Sequence, residues 1–152
     1  MGERSTIKDT NARGSFVGMR LDTTRKDMVQ AVLEGVAFGL RDSLEVIKAW
    51  GLKVETSGLC GGGSRSALWQ KIIANVLGIP LTLPRTEEGP AYGGAMLAMV
   101  GTGLFADVPS CCEALLSLRG RVEPDPEITA RYEKQYRKFR KLYPALKNFF
   151  SE

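Results

Sequence analysis

Three consecutive glycines, Gly61, Gly62 and Gly63, constrain this chain more than any other feature. They follow residues 53–60, which read as a short buried strand. They precede Leu68, Trp69, Ile72, Ile73, Val76 and Leu77, which fall at helical spacing. A chain that passes from strand to helix through residues without side chains turns tightly. It also brings bare backbone next to a helix start, where N–H groups are unsatisfied and the macrodipole is positive. That corner suits a nucleotide phosphate, or the face of an adenine and ribose. Arg65 and Ser66 add a charge and a hydroxyl. The spacing matches neither phosphate-loop pattern. No Gly-Lys-Ser/Thr follows, Lys71 lies too far along, and no third glycine completes a GxGxxG run. On these residues alone, a tight turn without a ligand fits equally well.

Around the turn, helices alternate with strands, which implies an α/β layer. Helical periodicity begins after Thr24, with Asp27 placed as an acid at N3 behind an N-cap. Met28, Val29, Val32, Leu33, Val36, Phe38, Leu40, Leu44 and Ile47 carry that helix to about Ala49, and Gly51 stops it. Gly35 and Gly39 share one face and predict close approach of another backbone. Phe16 and Val17, between Gly14 and Gly18, predict a short strand. Residues 79–83 form a second confident one. Residues 89–100 form a helix rich in Gly and Ala, which predicts close packing or a seat under the same ligand corner. Pro109 starts a short helix through Leu118. Residues 121–124 are a connector with some extended character, and Pro126 opens one last helix. Two strands and a weak third are few for so many helical segments. The expectation is a piece of a larger protein that completes the sheet.

With 152 residues, 43% hydrophobic and 25% charged, one ordered domain over 1–152 is expected. No apolar run reaches the roughly 20 residues that cross a membrane. The polar N-terminal stretch has no apolar centre, so a secretory leader is not expected. Cys60, Cys111 and Cys112 match no zinc spacing and no paired framework, which fits reduced thiols in the cytoplasm. Histidine is absent. Histidine-dependent nucleophiles and histidine-ligated metals are thereby excluded. Carboxylates, Lys and Tyr remain for acid–base work.

Lys and Arg number 21 against 17 Asp and Glu, for a net charge of +4. The excess gathers in residues 131–147. Arg131, Lys134, Arg137, Lys138, Arg140 and Lys141 stand there against one acid, Glu133, with Tyr132, Tyr136, Phe139 and Tyr143 interleaved. Basic residues among aromatics suit a nucleic-acid face. They equally suit an amphipathic packing helix, with Ile128, Tyr132, Tyr136 or Phe139, and Tyr143 as one apolar stripe. Packing is the preferred reading.

Four segments, in order, resemble the C-terminal domain of the FGGY carbohydrate kinases. They are GERSTIKDTNARGSFVGM (2–19), AVLEGVAFGLRDSLE (31–45), GLCGGGSRSALWQKIIANVLGIPL (58–81) and EEGPAYGGAMLAMVGTG (87–103). The GGGSRS turn and the EGPAYGGAMLA helix are most similar to the branch that phosphorylates xylulose. Kinases of glycerol, gluconate and fuculose carry related versions.

The resemblance implies an actin-like ATPase fold, two ribonuclease-H-like domains about a cleft. This chain would supply part of the C-terminal one. It implies ATP with Mg²⁺ in the cleft, the adenosine leaning on this domain and the sugar held mainly by the other. An aspartate then acts as base, and the γ-phosphate passes to a hydroxyl of D-xylulose or a related sugar. Residue by residue, Gly61, Gly62 and Gly63 match the family's glycine run against the nucleotide. Ser66 falls where relatives place a polar contact to the adenine, often an Asn. Asn11, Ala12, Arg13 and Gly14 match a loop that is structural first and cleft-lining second. No residue matches the catalytic aspartate. The resemblance therefore implies a cytoplasmic ATP-binding portion without kinase activity of its own. It also implies an Mg²⁺ site mostly outside the chain and a homodimeric parent. By itself the chain is expected to self-associate or to be marginally stable, with neither nucleic acid nor membrane as partner.

Overall fold

Helix α1, Arg25–Ala49, starts where its capping signal lies. Thr24 Oγ1 accepts from the Asp27 N–H at 3.3 Å, and Asp27 accepts in return from the Thr24 N–H at 2.8 Å. That reciprocal box satisfies two orphan donors of the first turn. The helix ends at Gly51, whose φ of 81° only glycine adopts readily. The computed structural model describes residues 2–86 and 89–151.

Helix α2, Ala67–Leu77, is the centre of the molecule, and every residue from Ile72 to Leu77 is buried. It packs against Ala37, Phe38 and Leu44 of α1 and, through the same core, against Ile79, Leu81 and Tyr136. Gly78 closes it in the left-handed region. Beside it lies a sheet of order β1-β2-β3. Strand β2, Leu81–Pro84, is central. It pairs in parallel with β1, Ser57–Gly58, and antiparallel with β3, Leu118–Val122.

The strand expected over 53–60 shrinks to two residues. Only its end lies beside β2, where the Ser57 and Leu59 N–H groups reach Pro80 and Thr82 carbonyls at 3.1 and 2.9 Å. Pro80 has no N–H to give back, so the ladder stops there. The strand expected at Phe16 and Val17 is absent, and both side chains are exposed. In compensation, the supposed connector at 121–124 is the end of a real strand. β3 takes Leu118 from the preceding helix, so α4 is Val108–Leu115 and stops early. No described atom lies within 4 Å of a β-carbon placed on Gly35, Gly39, Gly93 or Gly94. The close packing expected at those glycines is therefore not made.

Helix α3, Gly89–Gly101, lies against α4, and its Tyr92 hydroxyl donates to the Leu115 carbonyl at 3.2 Å. The last helix of the sequence is two: α5, Pro126–Phe139, and α6, Leu142–Phe150. Pro144 is the cause. Its ring would meet the carbonyl of residue 140 in a continuous helix. On α5, Tyr132, Tyr136 and Phe139 all pack on Phe38, with ring centroids 5.3–6.0 Å away. The aromatic stripe is thus a packing stripe. Arg41 of α1 ties the three helices, donating to the Val76 carbonyl at 2.7 Å and pairing with Glu133 at 3.4 Å. No described helix is long and apolar enough to cross a membrane.

Candidate functional site

The chain leaves β1 at Gly58, and Leu59 tucks against the core. Cys60 is exposed. Gly61 then takes φ 82° and ψ 176°, a conformation essentially confined to glycine. A single 3-10 turn follows, Gly62–Arg65, closed by Ser64 N–H to Gly61 O at 3.0 Å and Ser66 N–H to Gly63 O at 3.2 Å. The structure therefore inserts this turn before α2, where the sequence suggested that Ser64 or Arg65 opens the helix directly.

The three glycines have three different reasons. Gly61 supplies the backbone angle. A β-carbon on Gly63 would stand 2.9 Å from Trp69 Nε1, so the indole lies flush on the backbone. Gly62 meets no described atom within 4 Å, and its side faces open space. Neither conformation nor packing among the described residues requires glycine there. Ser66 caps α2, its Oγ accepting from the Trp69 N–H at 3.3 Å. The residue matched to an adenine contact thus has a structural duty as well. Arg65 stands at the same turn.

The start of α3 lies beside this corner, since a β-carbon on Gly89 would be 3.6 Å from Cys60 Sγ. The two glycine-rich segments are therefore neighbours. Glu87 and Glu88 of the second one lie outside the described residues. Ser64 is buried under the turn, and its carbonyl accepts from Gln70 and Arg119. No sequence signal marks Arg119, which falls between the helix expected to Leu118 and the connector expected at 121–124.

The loop Asn11 to Gly14 lies apart from the glycine turn, near the C-terminal half of α1. Arg13 folds back on its own loop, donating to the Thr10 and Asn11 carbonyls at 3.1 and 2.6 Å. The Asp9 carboxylate accepts from the Asn11 N–H and the Tyr143 hydroxyl, both at 2.8 Å, which anchors the loop to α6. The Asn11 N–H, and then Tyr143, hold the Asp9 carboxyl below its ordinary range. This loop borders a groove of about 800 Å³ with the C-terminal half of α1 and the α5–α6 elbow. The groove does not include the glycine turn. Among the described residues, no group of three or more Cys, Asp or Glu is placed to hold a metal.

The glycine corner thus stands at the start of α2, on a parallel strand pair. The family model described as "FGGY family of carbohydrate kinases, C-terminal domain" matches residues 1–102. This chain belongs to that family. Over 151 residues it is 32% identical to a xylulose kinase of Staphylococcus epidermidis, covering 99% of this chain and 30% of that protein. It is 35% identical over 146 residues to a ribulokinase of Mycolicibacterium smegmatis, covering 93% of this chain and 25% of that one. The crystal structure of ligand-bound xylulose kinase from Lactobacillus acidophilus matches with a TM-score of 0.90 at 27% identity. That match covers 99% of this chain and 30% of the other. The chain thus spans about 30% of the length of such FGGY relatives. Its helices and sheet form part of the actin-like, ribonuclease-H-like ATPase fold of this family.

Proposed function

We propose that this chain is the ATP-binding portion of a two-domain FGGY sugar kinase, with residues 1–152 forming part of its C-terminal domain. The open side of Gly62 carries the reading. Gly61 and Gly63 are explained by backbone angle and by Trp69, whereas Gly62 leaves a bare peptide face that any side chain would fill. A flat purine and ribose fit such a face, beside the positive end of α2. Gly61, Gly62, Gly63 and Ser66 are the proposed contacts.

ATP supplies the γ-phosphate. This chain holds and orients the adenosine end, so that the phosphate is aimed at a sugar bound elsewhere. Positioning and charge neutralisation are the main tasks of a phosphoryl-transfer site. The described residues offer no cluster for Mg²⁺, so its ligands are proposed to lie in the rest of a longer protein. The aspartate base and the sugar contacts are assigned there too. The acceptor is proposed to be D-xylulose or a related sugar, after the xylulose kinases among the relatives. A cytoplasmic homodimer is proposed for the parent. Nucleic acid is not proposed as a partner, because the aromatic residues of α5 are occupied by Phe38.

The test is Gly62→Val with titration of ADP by calorimetry. Space is open at Gly62, so the variant is expected to melt as the parent does and to lose ADP binding. An affinity unchanged by the valine sinks the reading.

A further inference from the structure

Ser64 is 2% exposed and lies inside the turn that the proposed nucleotide meets. Its carbonyl oxygen accepts from Gln70 Nε2 at 2.6 Å and from Arg119 Nη2 at 2.9 Å. The same guanidinium nitrogen lies 3.1 Å from Ser64 Oγ. Gln70 comes from α2 and Arg119 from β3, so a helix and a strand converge on one peptide group. The turn's own bonds do not explain its shape. Hydrogen bonds of 3-10 geometry are poorly aligned, and the adjoining glycines carry the greatest backbone freedom. A charged donor on a buried carbonyl is among the stronger hydrogen bonds, and a buried carbonyl that loses it is penalised.

We propose that Arg119, assisted by Gln70, is a positioning residue: it locks Ser64 and so holds the glycine turn with its bare face outward. Arg119 lies 55 residues from Ser64 along the chain and outside the segment matched by the family model. The shape of the turn is therefore set from the strand that follows α4. The ligand half of this inference rests on the nucleotide reading; the conformational half does not.

Trp69 reports on the turn, because its indole lies on Gly63. The chain has two tryptophans, and Trp50 is 75% exposed. In a Trp50→Phe background of the whole chain, the emission belongs to Trp69 alone. Arg119→Met is expected to raise its quenching by acrylamide and to speed exchange of the hydrogen-bonded Ser64 and Ser66 amides by about tenfold, the weight of one charge-assisted hydrogen bond. Exchange in α1 should not change. ADP affinity should fall by a similar factor, and Arg119→Lys, which keeps one charged donor, should restore part of each effect. Gln70→Ala provides the same local readout if Arg119→Met does not fold. Unchanged quenching and exchange in the folded variants overturn the proposal, whatever happens to ADP. A turn that loosens in a chain whose parent never binds ADP upholds the positioning role and defeats the nucleotide reading.

Discussion

Neighbouring glycines here respond to opposite physics, and substitution should separate them. At Gly61 the backbone angles are nearly closed to any other residue. Gly61→Ala should cost about 1–3 kcal/mol in urea unfolding. Gly62→Ala, facing open space, should leave the midpoint unchanged. The three-glycine run, its place before a helix and the hydroxyl of Ser66 were all legible in the sequence. The separate reasons for the three were not, because they depend on where Trp69 comes to rest. Arg119 was illegible for a stronger reason. Its partner is remote along the chain, and only the pairing of β3 with β2 brings the two together.

Helix limits set by local chemistry were readable at α1 and at the start of α5, but not at the end of α4 or at the division of the last helix. The Thr24–Asp27 box and Gly51 mark α1, and Pro126 marks the start of α5. Thr24→Ala should remove about 1 kcal/mol of stability, measured by thermal unfolding. Strands were read less well, since a strand exists only where a partner lies beside it. Residues 53–56 have the composition without the partner. Helices α1 and α5 also share a titratable contact. Burial, then hydrogen bonding to Asp42, pushes the Tyr136 hydroxyl up to about 12 from 10.0, and burial with Glu34 does the same to Tyr132. In the unfolded chain both lose their protons near 10, while the fold retains them. Their stabilising contribution is complete below pH 10 and is lost as pH rises towards 12. The unfolding midpoint should fall over that window, and Tyr136→Phe should flatten the slope.

At the scale of the molecule, α1 presents an exposed apolar stripe. Val29, Val32, Val36 and Leu40 form a stripe that is 45–54% exposed, and β1 is an edge strand two residues long. Such surfaces pair with whatever is available. Sedimentation of the isolated chain should show association that rises with concentration. Val32→Lys with Val36→Lys should abolish it, whereas a monomer at every concentration contradicts the expectation. Sugar-dependent ATP turnover by the chain alone should be absent in a coupled assay, and its presence would refute the assignment of base and sugar contacts to other residues. The sequence by itself determined α1 with its cap, the start of α5, the glycine corner and the family, because each is written in residues close together along the chain. Only the tertiary structure decided how many strands form, that the aromatics of α5 rest on Phe38, and that Arg119 reaches Ser64. Those outcomes depend on contacts between distant segments, and neither spacing nor composition encodes which distant segment arrives.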